Sequence, residues 1–161
     1  MRYAFAPIDP AAGEAMASWR YGGPYALYDG DPEGVEYLLR PEHHVYAVRD
    51  EAGELVGFCS FGEDGRVAGY AYSDDALDVG AGMRPDLVGR GLGVGFLRAA
   101  FDFGQREYSP TALRVTIAAF NRRAQRVVLA LGFRETARFP QPQSGNEFVV
   151  LRREPGLRPA R

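Results

Sequence analysis

Lysine is missing altogether: all 19 basic residues of the 161-residue chain are arginine. A GC-rich coding bias accounts for that choice. The absence still removes one function class, because the G-x-x-x-x-G-K-[ST] phosphate loop cannot be built without its lysine. Cysteine is nearly missing too. Cys59 stands alone, which excludes an internal disulfide and a Cys-rich zinc centre and fits a reducing, cytoplasmic location. The two histidines, His43 and His44, have no cysteine or acidic partner at a metal-ligand spacing, so no metal is expected. Long apolar runs are also lacking. Val127 to Leu131 is the longest strongly apolar stretch, far short of the ~18 residues of a membrane span. Pro7, Asp9 and Pro10 break the stretch after Arg2, leaving no signal-peptide core. Neither secretion nor a membrane partner is expected.

What remains is globular. Hydrophobic residues make up 46% and charged residues 25% of the chain, and the length fits one domain at roughly 150 residues each. A core forms at this size without staples. Charge is divided unevenly along the chain. Residues 1–83 carry 5 Arg against 15 acids, a balance of −10, and residues 84–161 carry 14 Arg against 6 acids, a balance of +8. An anionic ligand suits the second half, and a cationic one suits the first.

Hydrophobic spacing and breakers give the order β-α-α-β-β-β-α-β-α-β-β, an α/β (α+β) domain with a mixed, mostly antiparallel sheet flanked by helices. The strands expected are Arg2 to Ile8, Val45 to Arg49, Leu55 to Phe61, Leu77 to Arg84, Leu113 to Ile117, Phe133 to Phe139 and Phe148 to Arg152. A further short strand is expected near Arg66 to Tyr72. Gly80 and Gly82 in the fourth strand suggest a bulge or the close approach of a ligand. Helices are expected at Ala11 to Trp19, at Pro32 to Leu39 behind the cap Asp31, from Gly91 to about Gln105, and over residues 122–131 behind the cap Asn121. In the third helix Leu92, Phe96, Ala99, Ala100 and Phe103 form one stripe. In the fourth, Ala124, Val127, Val128 and Leu131 face inward. Residues 1–153 are read as the domain and 154–161 as a frayed tail.

The segment that carries chemistry is Val88-Gly89-Arg90-Gly91-Leu92-Gly93-Val94-Gly95. It leads from a predicted strand into a predicted helix. Missing side chains let backbone N–H groups reach an anion, and the helix dipole adds to the field. A dinucleotide fingerprint is not met. Val94 or Phe96 stands where the third glycine of G-x-G-x-x-G belongs, and no acid lies near Thr111 to Thr116 to hold a ribose.

These residues resemble the GNAT superfamily of acyl-CoA-dependent N-acyltransferases. Its [Q/R]-x-x-G-x-[G/A] motif falls on Val88-Gly89-Arg90-Gly91-Leu92-Gly93, and its Asn-x-x-Ala helix followed by Gly-Phe falls on Asn121-Arg122-Arg123-Ala124 and Gly132-Phe133. The resemblance spans about residues 42–153. It implies acetyl-CoA as co-substrate and no metal. The pyrophosphate would lie on the amides of Val88, Gly89, Arg90, Gly91, Leu92 and Gly93. Pantetheine would lie along Ala81 and Met83, with Asn121 near the arm. It implies direct attack by an amine of a small molecule or protein on the thioester. Two positions depart from the pattern. Val88 replaces the usual Gln or Arg, and Val128 replaces the usual Tyr, which often protonates the leaving thiolate.

Asp78, on the strand leading to the glycine loop, is the candidate base. Trp19, Tyr25 and Tyr28, with Tyr21, are the candidate acceptor pocket, able to stack on a cation. Cys59 is expected as a small core residue. The Arg122, Arg123 and Arg126 face suits a phosphate or solvent better than nucleic acid, given a net charge of −2. The rival to an N-acetyltransferase is an acyl-CoA-binding or partner-binding module that has lost catalysis through Val128. Binding of nucleotide phosphates without CoA is a third reading. A homodimer is the default assembly.

Overall fold

The computed structural model describes residues 2–154. The expected tail therefore lies outside the described residues from position 155 onward. Seven strands form one sheet: β1 (Ala4–Pro7), β2 (Val45–Arg49), β3 (Leu55–Phe61), β4 (Leu77–Met83), β5 (Leu113–Ala118), β6 (Arg134–Pro140) and β7 (Glu147–Arg153). The helices are α1 (Pro10–Ala17), α2 (Val35–Leu39), α3 (Gly93–Tyr108) and α4 (Arg122–Ala130). The spatial strand order is β1-β2-β3-β4-β5-β7-β6. Every neighbouring pair is antiparallel except β4 with β5.

Local chemistry explains most boundaries. Asp50 folds its carboxylate back onto the amides of Ala52 and Glu54, both at 3.0 Å, and Gly53 takes φ 83°, which closes the β2–β3 hairpin. Asn121 caps α4 through Oδ1, which accepts the Ala124 amide at 3.2 Å. Gly132, at φ 95°, ends the same helix in the left-handed conformation glycine favours. Asp31 caps as expected, accepting the Glu33 amide at 2.9 Å. Yet Pro32–Gly34 forms a 3₁₀ turn and only Val35–Leu39 is α-helical.

The core lies between the sheet and the helices α3 and α4. Phe61, Val79, Phe96, Phe101, Leu113, Val128, Leu131 and Phe133 meet there. Phe101, absent from the expected stripe, is 1% exposed and lies 4.7 Å from the Phe133 ring. Ala124 and Val127 of α4 are only half-buried, because they border the cleft described below.

Arg66 to Tyr72 is not a strand. Its β-prone residues serve as side-chain anchors instead. The Tyr72 hydroxyl receives the Val67 amide at 3.0 Å and pairs with Thr116 Oγ1 at 2.8 Å, and Tyr70 stacks on Phe139. Gly80 and Gly82 mark no bulge, since the β3–β4 register is continuous, and both are required by the crowding of β3. A Cβ at Gly80 would stand 2.6 Å from Ser60 Oγ, and one at Gly82 would stand 2.6 Å from the Phe58 ring. The close approach comes from β3.

Candidate active site

The decisive feature is where β4 and β5 part. They are in register at only Leu77↔Leu113 and Asp78↔Arg114. Beyond that the strands diverge. Backbone direction along β4 is fixed by its bonds to the neighbours. Asp78 accepts from Gly62 and Arg84 donates to Val56, both on the β3 side, whereas Leu77 donates to Ala112 on the β5 side. Alternation along a strand then turns the N–H and C=O of Val79, Ala81 and Met83 toward β5. On β5, Ala119 donates to Glu147 of β7, so the Ala118 N–H turns toward β4. Of these residues Ala81 and Met83 line a cleft of 450 Å³, while Val79 and Ala118 are buried beneath its end.

The glycine loop closes one end of the cleft. Gly89 and Gly91 take φ 81° and 77°, a region other residues enter at a cost. This delays the helix to Gly93, two residues after the sequence expectation. A Cβ at Gly91 or Gly95 would meet nothing within 4 Å, so the backbone there is open to approach. No side chain caps α3, whose first internal bond is Phe96 N to Leu92 O. The amides of Gly93, Val94 and Gly95 are thus free donors at the positive end of a 16-residue helix. Arg123 of α4 flanks the loop, with Nη1 3.7 Å from a Cβ position at Gly89.

The far wall comes from the loop joining α1 to α2. Gly30 N donates to Trp19 O at 2.9 Å, and the Arg20 guanidinium binds the carbonyls of Ala17, Trp19 and Gly30. Asp29 accepts the Tyr21 amide at 2.8 Å. The loop is a closed strap carrying three tyrosines into the cleft. The Tyr21 hydroxyl donates to Met83 O at 2.6 Å, and burial pushes its pKa up to about 12. Tyr25 lies under the Arg123 guanidinium at 4.9 Å. The Tyr28 hydroxyl accepts from Asn121 Nδ2 at 3.3 Å. A side chain at Gly30 would collide with the Met16 carbonyl and Ala17 backbone. Gly30→Ala is therefore expected to destabilise the fold by about 1–3 kcal/mol, read as a lower denaturant midpoint.

The structure brings together most of the residues expected from sequence. Tyr25, Tyr28, Ala81, Met83, Val88, Gly89, Gly91, Gly93 and Asn121 line the one cleft. Arg90 and Leu92 belong to the loop without lining it. Trp19 does not line the pocket. It is 8% exposed and packs with Met16 and Val45, so it anchors the base of the strap. Sequence reasoning left out Phe58, Leu87, Phe96 and Leu97, which form the apolar wall. Their signal is ordinary core periodicity, which cannot tell a cleft wall from a core.

Asp78 requires a correction. It is 1% exposed and does not line the cleft. Its Oδ1 receives Arg114 Nε at 2.6 Å, and its Oδ2 receives Arg114 Nη2 at 2.8 Å and Arg66 Nε at 2.9 Å. Arg114 also holds the Ser73 carbonyl at 2.7 Å, and both guanidiniums lie over the Tyr72 ring. The parallel register that sets Asp78 beside Arg114 thus turns the expected base into the centre of a buried ion cluster, tying the loop after β3 to the sheet.

The remaining candidates stay outside the site. His43 Nδ1 contacts the Tyr37 carbonyl and its ring stacks on Tyr37, and His44 meets Tyr108. Cys59 is fully buried and its thiol is pushed up to about 12 by that burial, so it stays protonated. Among the described residues, no cluster of three or more His, Cys, Asp or Glu could hold a metal, and no helix is long and apolar enough to cross a membrane.

A family model described as acetyltransferase (GNAT) domain matches residues 3–134. The chain belongs to the GNAT acetyltransferase family. Solved structures agree on the GNAT fold. A spermidine N-acetyltransferase chimera of Vibrio cholerae SpeG and hSSAT superimposes with TM-score 0.75 at 13% identity, over 96% of each chain. The aminoglycoside acetyltransferase AAC(6')-Ib, in complex with ribostamycin and coenzyme A, gives 0.74 at 16% identity, over 96% of this chain and 94% of that one. A GNAT-family acetyltransferase from Bacillus anthracis gives 0.72 at 14% identity, over 96% and 95%. Among curated proteins, none matches the sequence.

Proposed function

We propose that the protein transfers the acetyl group of acetyl-CoA to a primary amine of a small molecule or protein, by direct attack of the neutral amine on the thioester. The observation that carries this reading is the divergence of β4 and β5 beside an uncapped helix start. One apolar cleft then offers a strand edge for an amide-bearing chain and a cluster of free amides for phosphates. The backbone of Val88 to Gly93 would hold the pyrophosphate, with Arg90 and Arg123 adding positive field. The pantetheine arm would lie along the strand edge at Ala81 and Met83, with the backbone of Ala81 available to its amides. Asn121, already engaged in capping α4, would stand beside that arm. The Met83 N–H faces the cleft, where it can meet the oxygen that gains charge as the amine attacks.

The cleft lining contains no carboxylate and no histidine among the described residues. An ammonium would therefore lose its proton to water before attack, so that the amine arrives neutral. The acids of the first half do not enter the cleft wall, and recognition of the acceptor would fall to the tyrosines of the strap. A soluble, cytoplasmic protein acting on a small amine, alone or as a homodimer, suits this chemistry.

Thermal unfolding with and without acetyl-CoA tests the reading, with ATP and NAD as controls. A ligand at 100 times its Kd adds about 2.7 kcal/mol of stability. A protein of this size gains roughly 2–4 °C for each kcal/mol, so the expected rise in Tm is about 5–10 °C for acetyl-CoA alone. Release of CoA thiol over a panel of amines then separates an enzyme from a binding module. An equal response to ATP would point to nucleotide phosphates instead, and no response at millimolar acetyl-CoA would remove the cofactor site.

A further inference from the structure

The family's usual acid position is occupied by Val128, whose side chain is 1% exposed and belongs to the core under α4. The helix that would carry the acid therefore offers the cleft only Ala124 and Val127 beyond Asn121 and Arg123. Three phenols enter the same cleft from the opposite wall, and their hydrogen bonding separates them. Tyr21 spends its proton on Met83 O at 2.6 Å. Tyr25 is covered by the Arg123 guanidinium on one face and the Phe120 ring edge. Tyr28 differs from both. Its oxygen accepts from Asn121 Nδ2 at 3.3 Å and meets the buried Ala118 amide at the end of β5. Its oxygen serves as acceptor, and among the described residues no protein group accepts its own O–H, which is left free for a ligand in the cleft it lines.

We propose that Tyr28 is the proton donor to the leaving CoA sulfur, so that the acid is carried by the α1–α2 strap and not by helix α4. This rests on the acetyl-transfer reading above. The amine nitrogen forms its bond to the carbonyl carbon, the C–S bond breaks with its electron pair on sulfur, and sulfur takes the phenolic proton. The phenolate left on Tyr28 is stabilised by the Asn121 donor and the Ala118 amide. It regains a proton from the nitrogen of the acetylated adduct through water. Burial and the neighbouring Tyr25 raise the phenol above its ordinary value while the Asn121 and Ala118 contacts lower it, with burial prevailing. The group therefore stays protonated at neutral pH. Asn121 thereby joins two tasks: Oδ1 starts the helix and Nδ2 positions the acid.

The test is Tyr28→Phe, which keeps the ring and removes the O–H. Thiol release is expected to fall about 100-fold, within the range general acids supply, with acetyl-CoA Kd within threefold of wild type and Tm unchanged. Incorporating 3,5-difluorotyrosine at position 28 keeps the O–H and acidifies it. That variant is expected to restore turnover and to move the alkaline limb of kcat to lower pH. Wild-type turnover in Tyr28→Phe would overturn the assignment, as would an unmoved alkaline limb, parallel losses of Kd and Tm, or a wild type that binds acetyl-CoA and releases no thiol with any amine. Failure of wild type to bind acetyl-CoA at all would instead overturn the transferase reading, and Tyr28 with it.

Discussion

Replacing Gly91 with aspartate is expected to abolish acetyl-CoA binding and leave a folded protein. The position has φ 77° and open space where a Cβ would stand. Aspartate tolerates the left-handed region better than most side chains, and the strain costs about 1–3 kcal/mol. The carboxylate would sit among the amides of the loop and beside the uncapped start of α3. At about 4 Å from a phosphate, two like charges near a protein surface repel by about 4 kcal/mol at an effective dielectric of 20. That corresponds to about a 1,000-fold loss of affinity, before counting the amides the carboxylate would itself occupy. Titration calorimetry and circular dichroism together check it. A Kd within tenfold of wild type would move the phosphate site elsewhere.

Asp78→Asn is expected to injure the fold and not the chemistry. The asparagine is nearly isosteric but uncharged, and it leaves Arg114, 3% exposed, with only the exposed Asp75 carboxylate at 4.0 Å. Removing one partner of a buried pair costs about 3–5 kcal/mol. For a chain of this size that lowers Tm by roughly 10 °C. Well below the new Tm, kcat should stay within a few-fold of wild type, since the carboxylate does not border the cleft. Differential scanning calorimetry with a steady-state assay distinguishes the alternatives. Unchanged Tm with a collapse of kcat would restore Asp78 as a base.

The contrast between Gly91 and Asp78 shows what was legible in the chain and what was not. The glycine loop was readable because its chemistry is backbone chemistry. Missing side chains at Gly89, Gly91 and Gly93 are visible in the letters, and so is the helix that follows. Ala81 and Met83 were placed by the family resemblance, and the register of β4 with its neighbours shows their amides turned to the cleft. Asp78 was misread because its partners are remote: Arg114 is 36 positions away and meets it only through the β4–β5 register. Arg66 and the tyrosines at 70 and 72 were misread for a related reason. Aromatic, β-prone residues look alike whether they line a strand or pin a loop. Trp19 shows the same ambiguity between a pocket wall and the core beneath it. The pairing of Asn121 with Tyr28 spans 93 positions and lies beyond any local pattern.

The short β4–β5 contact has a mechanical consequence. With two registered positions joining them, the seven strands act as a four-stranded plate and a three-stranded plate hinged along a narrow seam, and α3 and α4 brace the seam from one side. A cofactor arm laid in the gap, as proposed above, would act as a removable eighth strand, stitching one plate to the other. On the proposed reading, rigidity of the domain would then be partly lent by a metabolite, and resistance to unfolding would rise and fall with the acetyl-CoA around it.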